Sequence, residues 1–171
     1  MSEELPEGLE IRLTEPGDAK FLREWFLDPE LSRWFPIESL EELDDAVERW
    51  ISFHKWRCSW TAVMNGVPAG IVTLYLQPYR KLSHHSELGI IVGTDFRGLK
   101  IGTHLMNHLM KKAKEQFNIR LLHLQVYEEN PAIKMYKRLG FKEFGRQKFY
   151  VEETGKQGKA YVGRVFMERF I

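Results

Sequence analysis

Between Leu9 and Leu13 apolar and polar residues alternate, the pattern of a half-buried strand. The spacing then becomes helical. Phe21, Leu22, Trp25 and Phe26 share one face, with Asp18 placed as the N-cap and Asp28-Pro29 as the stop. A second helix is predicted over about Leu40 to His54, with Leu43, Val47, Trp50 and Ile51 on one side. Strands at Trp60 to Met64 and Gly70 to Leu76 flank Asn65-Gly66, a hairpin signal because both turn positions tolerate positive φ.

Glu87 to Val92 reads as a strand apolar enough at its end to be central. Ile101, Leu105, Leu109, Ala113 and Phe117 recur every four residues and predict a helix over Ile101 to Phe117. Leu122, Leu124 and Val126 share one face of a strand over Arg120 to Tyr127. A short helix follows over Pro131 to Leu139. Phe141 to Val151 and Lys159 to Phe170 form a closing hairpin around Gly155 and Gly158. The order β-α-α-β-β-β-α-β-α-β-β implies an α/β chain, an α+β mixed sheet with helices on both faces. No repeat or linker divides the 171 residues, so a single domain over 1–171 is expected.

Composition narrows the function. Lys+Arg number 25 and Asp+Glu 24, a net charge of +1, so no basic stripe marks a nucleic-acid binder. No apolar run has the length of a membrane span, and the acidic, polar Met1-Ser2-Glu3-Glu4 leads to the expectation of no secretory signal. One cysteine, Cys58, cannot form an internal disulfide, which fits a cytoplasmic location. Between Arg57 and Ser59 it reads as a packed thiol. No Cys/His cluster has zinc spacing, so no metal is expected.

Candidate chemistry gathers in two segments. Val92-Gly93-Thr94-Asp95-Phe96-Arg97-Gly98-Leu99-Lys100-Ile101-Gly102-Thr103 runs from a strand end through a glycine-bearing loop into a long helix. Unpaired amides and the positive end of the helix dipole suit a diphosphate there. Arg97 and Lys100 add charge, and the Thr103 hydroxyl adds a donor. In Asn130-Pro131-Ala132-Ile133-Lys134-Met135-Tyr136-Lys137-Arg138-Leu139-Gly140-Phe141, Asn130 suits a cap, Pro131 the first turn and Gly140 the residue past the end.

Together these segments resemble the GNAT superfamily of N-acetyltransferases. Arg97-Gly98-Leu99-Lys100-Ile101-Gly102 is similar to its acetyl-CoA pyrophosphate motif, and Asn130 to Phe141 to its asparagine–tyrosine motif. Lys100 stands where the motif has its first glycine; a helical backbone at Lys100 is the expectation. The resemblance implies the GNAT fold, a mixed sheet splayed between its fourth and fifth strands. It implies acetyl-CoA as co-substrate, in contact with Ile90, Ile91, Val92, Arg97, Gly98, Leu99, Lys100, Ile101, Gly102, Thr103, Asn130 and Ile133. It also implies Tyr136 as the acid that protonates the departing thiolate, and Glu87 as a base acting through water; His84 and His85, just upstream of Glu87, could serve instead.

The acceptor is expected to be a small-molecule or peptide amine. Trp34, Phe35, Tyr79 and His85 are candidates for its site, since aromatic walls suit an apolar or cationic body. No nucleic-acid or membrane partner is expected, and both monomer and homodimer stay open. The competing reading is a non-catalytic CoA-binding sensor or regulatory module on the same fold. A nucleotide-binding protein is disfavoured, because no Gly-Lys-Ser/Thr triplet or Gly-x-Gly-x-x-Gly run is present.

Overall fold

In the computed structural model, which describes residues 4–171, the alternating N-terminal segment forms strand β1 (Leu9–Leu13). Helices α1 (Ala19–Leu27), α2 (Pro29–Ser32) and α3 (Leu40–Ser52) follow. The hairpin β2 (Ser59–Met64) and β3 (Val67–Tyr75) turns at Asn65 and Gly66, with φ of 49° and 83°. Then come β4 (His85–Val92), α4 (Ile101–Phe117), β5 (Leu121–Tyr127) and α5 (Ala132–Arg138). The long hairpin β6 (Lys142–Gly155) and β7 (Gly158–Phe170) closes the chain.

Two local expectations are corrected. The proline expected to stop α1 also starts α2: Pro29 occupies its first turn, and the Asp28 side chain accepts from the Glu30 amide at 3.0 Å. Asp18 caps nothing. It closes a 3₁₀ turn, and its buried carboxylate accepts from Arg12 Nη1 and Nη2 at 2.9 and 2.8 Å, from Thr61 Oγ1 at 2.8 Å and from the Glu15 amide at 2.9 Å. Helix α3 does begin as a capping box, in which Ser39 Oγ accepts from the Glu42 amide and Glu42 Oε2 from the Ser39 amide.

The seven strands form one sheet in the order β1-β2-β3-β4-β5-β7-β6. Helices α1 to α3 bury Leu22, Phe26 and Trp50 against Ile71 and Ile91 on one face. On the other face α4 and α5 cover Val72, Leu74, Leu88, Leu122, Leu124 and Val126. Leu105 and Leu109 of α4 are fully buried there, so truncating either to alanine removes about 2–5 kcal/mol.

One irregularity creates the site. Strands β4 and β5 pair in parallel only at His85↔Leu121, Ser86↔Leu122 and Glu87↔His123. Beyond Glu87 they part, β4 staying paired with β3 and β5 with β7. The backbone edges of Leu88–Val92 and Leu124–Tyr127 therefore face each other across a wedge. A second irregularity lies in the closing hairpin. Its register passes from Gln147↔Arg164 to Val151↔Val162, leaving Lys148, Phe149 and Tyr150 opposite Gly163, with Phe149 in the left-handed region at φ 55°.

Candidate active site

The wedge between β4 and β5 opens into a cleft of about 1090 Å³. The start of α4 stands at one end. Among the described residues the amides of Gly98, Leu99, Lys100, Ile101, Gly102 and Thr103 donate to no backbone carbonyl, whereas the next amide, His104, already bonds Lys100 at 3.1 Å. Six unsatisfied donors at the positive end of a 17-residue helix form an anion seat. Gly98 has φ 78°, and Lys100 has φ 57° and ψ 20°. The expectation of a helical Lys100 is thus overturned: this position keeps the left-handed backbone that suits glycine, and a Cβ there costs about 1–2 kcal/mol.

The other charges near this seat are partly engaged. Arg97 Nη1 pairs with Glu30 Oε2 at 2.9 Å, and Thr94 Oγ1 donates to Asp28 Oδ2. Helix α2, absent from the sequence expectation, is thereby tied to the loop before α4. The Arg97–Glu30 pair is solvent-exposed and holds the guanidinium weakly. Arg138 of α5 reaches Thr103 Oγ1 at 3.4 Å.

Helix α5 forms the second wall, and its ends are set by local chemistry. Asn130 Oδ1 accepts from the Ala132 amide at 2.9 Å. At the far end Gly140 adopts φ 86°, its amide bonds Lys137 at 3.0 Å, and the Phe141 amide bonds Tyr136 at 3.0 Å. This Schellman closure stacks Phe141 on Tyr136, with ring centroids 6.1 Å apart. Tyr136 lines the cleft yet is 6% exposed. Burial alone pushes its phenol well above the usual range, so it is neutral at physiological pH.

At the opposite end the lining is polar and aromatic. Glu87 Oε1 accepts from Gln125 Nε2 at 2.8 Å. Gln125 Oε1 in turn accepts from Arg164, whose Nε donates to Gln147 Oε1 at 2.8 Å. Gly89 gives this end its depth. A Cβ there would lie 2.6 Å from the Tyr75 hydroxyl and 3.1 Å from Trp50, so both rings close over the strand. Burial first, then the charge of Glu87, raises the Tyr75 phenol.

Most of the residues proposed from sequence line this one cleft: Glu87, Tyr136, Asn130, Ile90, Ile91, Val92, Arg97, Gly98, Lys100, Ile101, Gly102, Thr103, Trp34 and Phe35. Four do not. Leu99 is 45% exposed beside the seat. Ile133 packs into the core on the α4 side. Tyr79 stands in solvent at 71% exposure, beyond the end of β3. His85 Nδ1 contacts His123 Nε2 at 3.1 Å where β4 and β5 are still paired; burial, against the pull of Glu87, lowers the His123 pKa and leaves it neutral. His84 is likewise outside the lining and stacks edge-on against His85.

Sequence reasoning did not single out Gln125, Tyr127, Tyr150 or Arg164, which line the same cleft. A signal existed for two of them. If Leu122, Leu124 and Val126 face the helices, Gln125 and Tyr127 must face the other way. Among the described residues no cluster of three or more His, Cys, Asp or Glu could hold a metal, and no helix is long and apolar enough to cross a membrane. Cys58 is buried, and burial pushes its thiol up to about 11.

The model of the acetyltransferase (GNAT) family matches residues 19–141, most of the chain and all of the seat, the splay and α5. The chain belongs to the GNAT family. The L-amino acid N-acetyltransferase AaaT of Escherichia coli is 29% identical over 101 residues, covering 58% of this chain and 62% of that one. An N-alpha-acetyltransferase of Sulfurisphaera tokodaii is 46% identical over 57 residues, 33% of this chain and 34% of that one. The matched stretches thus span less than two thirds of either curated relative. The crystal structure of a ribosomal-protein-alanine N-acetyltransferase from Brucella melitensis superposes with a TM-score of 0.80 at 23% identity, covering 95% of this chain and 99% of that one. This last likeness is one of fold.

Proposed function

We propose that this chain transfers an acetyl group from acetyl-CoA to a primary amine by direct attack, with both substrates bound at once. One observation carries the reading: β4 and β5 part immediately after Glu87, and the wedge runs from that carboxylate to six unsatisfied amides at the start of α4. The seat fits the coenzyme. A diphosphate needs several N–H donors on one centre, and residues 98–103 present them. The pantetheine arm needs strand-like partners, and the free edge of Leu88–Val92 offers them. Bound there, acetyl-CoA supplies a thioester carbonyl open to attack.

The chain's own groups divide the remaining work. Asn130 spends its carbonyl oxygen on α5 and keeps its amide nitrogen for the pantetheine. Glu87 takes the proton an alkylammonium must lose, whose free pKa is near ~10.4. Tyr136 holds a proton that a departing thiolate can take. Its raised pKa makes it a weaker acid than a free phenol, but the same burial raises the proton affinity of a thiolate beside it. The sole cysteine is buried with a raised thiol pKa, so a relay through an acetyl-cysteine finds no support, which favours direct attack.

The deciding experiment is thiol release from acetyl-CoA across a mixed amine panel, alongside calorimetry of CoA binding. Amine-dependent release is the expected result. CoA binding without release by any amine would instead make the chain a CoA-binding module.

A further inference from the structure

Three features on the acceptor side of the cleft carry a cost, and all three meet at one corner. Arg164 has no carboxylate partner among the described residues. Its Nε donates to Gln147 and one Nη1 hydrogen to Gln125, and its plane lies 3.8 Å over the Tyr150 ring and 4.7 Å over Phe166. The guanidinium is held at a fixed angle by neutral groups, with its full charge and the Nη2 donors unspent. Tyr127, directly across from Arg164 in the β5–β7 register, is 6% exposed, and its buried hydroxyl has no hydrogen-bond partner among the described residues. Phe149 adopts a left-handed φ of 55° in the bulge that delivers Tyr150 onto Arg164, a strain of about 1–2 kcal/mol for a residue with a Cβ. Tyr150 packs edge-on against Tyr127 at 6.1 Å.

An open guanidinium fork and an orphaned phenol both call for an oxygen acceptor, and a carboxylate satisfies the two together. The corner is tied to Glu87 by one side chain, since the carboxamide of Gln125 bonds Glu87 at its nitrogen and Arg164 at its oxygen. Candidate sites for an ammonium, at Glu87, and for a carboxylate, at Arg164, are therefore bridged by a single hydrogen-bonded carboxamide. We infer that the acceptor is a small amino acid, its amine presented to Glu87 and its own carboxylate read by Arg164 with Tyr127. This inference rests on the acetyl-transfer reading above and makes it specific. A peptide N-terminus with a neutral first residue brings no carboxylate to this corner and is a poor acceptor.

The test compares free amino acids with their methyl esters, their amides and the matching decarboxylated amines, in the wild type and in Arg164→Gln and Arg164→Lys. In the wild type, kcat/KM for the free acids is expected to exceed that for the esters and amides by at least about tenfold. Arg164→Gln is expected to raise KM for the acids about tenfold or more and to move KM for the esters far less, so that the acid-to-ester ratio of kcat/KM falls toward one, with partial recovery in Arg164→Lys. Circular dichroism and CoA calorimetry show whether each variant keeps its fold. Esters and amides accepted as well as acids, or an acid-to-ester ratio unmoved by Arg164→Gln, overturns the inference while acetyl transfer stands. Should Arg164→Gln fail to fold, the wild-type acid-to-ester ratio decides alone. No transfer to any amine overturns both.

Discussion

Glu87 and Gln125 join their side chains at 2.8 Å across the first gap that opens between β4 and β5. The carboxylate thereby stands at the mouth of the wedge, half-buried, with one oxygen fixed and the other left for a proton. On the acetyl-transfer reading proposed above, the pairing of strands up to Glu87 and their separation after it set where an acceptor amine meets the cleft.

Replacing this carboxylate tests that role. Glu87→Gln keeps the size and loses the base. The rate loss is expected to be largest at low pH, where the acceptor arrives as ammonium, and to narrow toward pH 10, where a free alkylamine loses its proton unaided. A pH–rate profile parallel to the wild type would remove Glu87 from the proton path.

Tyr136 is placed by the helix-ending turn at Gly140 and by Phe141, so Tyr136→Phe leaves its packing largely intact. About a 10²-fold fall in kcat is expected, with a smaller change in KM for acetyl-CoA. Wild-type kcat in this variant would assign the thiolate's proton to another source.

Lys100 combines a strained backbone with a charge at the anion seat, and two substitutions separate these. Lys100→Gly relieves the left-handed strain and is expected to stabilise the fold by about 0.5–1 kcal/mol, less than the full strain because glycine also loosens the unfolded chain. Lys100→Ala keeps the strain. Both remove the ammonium and are expected to weaken CoA binding alike in calorimetry. Equal melting temperatures for the two variants would contradict the strain, and unchanged affinity would contradict the phosphate contact.

Asp18 makes the fold acid-sensitive. Burial works to raise its pKa, but the paired bonds from Arg12, the Glu15 amide and the Thr61 hydroxyl outweigh it, and the net value lies below the ordinary 3.8. The unfolded chain therefore binds the proton first as pH falls. The stabilisation is complete above about pH 5 and is lost on acidification through the folded-state pKa. Asp18→Asn is expected to cost about 2–3 kcal/mol near pH 7, since Asp18 is buried while Arg12 is a quarter exposed. Urea unfolding from pH 7 to pH 2 should show a shallower acid loss in the variant; parallel curves would show that Asp18 does not carry the effect.

These sites differ in how legible they were in the sequence, and the difference is one of range. Helix α5 was readable because its cap, proline and terminal glycine act within a dozen residues. The β2–β3 hairpin was readable from Asn65-Gly66 for the same reason. The place of Asp18 at the start of α1 was readable, but its side-chain bonds were not, because Arg12 and Thr61 come from strands 6 and 43 residues away. Lys100 was misread because no residue type reports a left-handed backbone when glycine is absent. The Gln125–Arg164–Gln147 chain depends on the register of three strands, and the position of Tyr150 on a bulge at Phe149 that nothing in residues 148–150 announces.

The central claim is that the amides of residues 98–103 seat the coenzyme's diphosphate while Tyr136 faces its sulfur. Titrating the ¹⁵N-labelled chain with CoA and following backbone amide shifts measures this most directly. The largest shifts are expected at Gly98 to Thr103, with further shifts along Leu88 to Val92 and at Tyr136. Saturable binding that leaves those six amides unmoved would contradict the account.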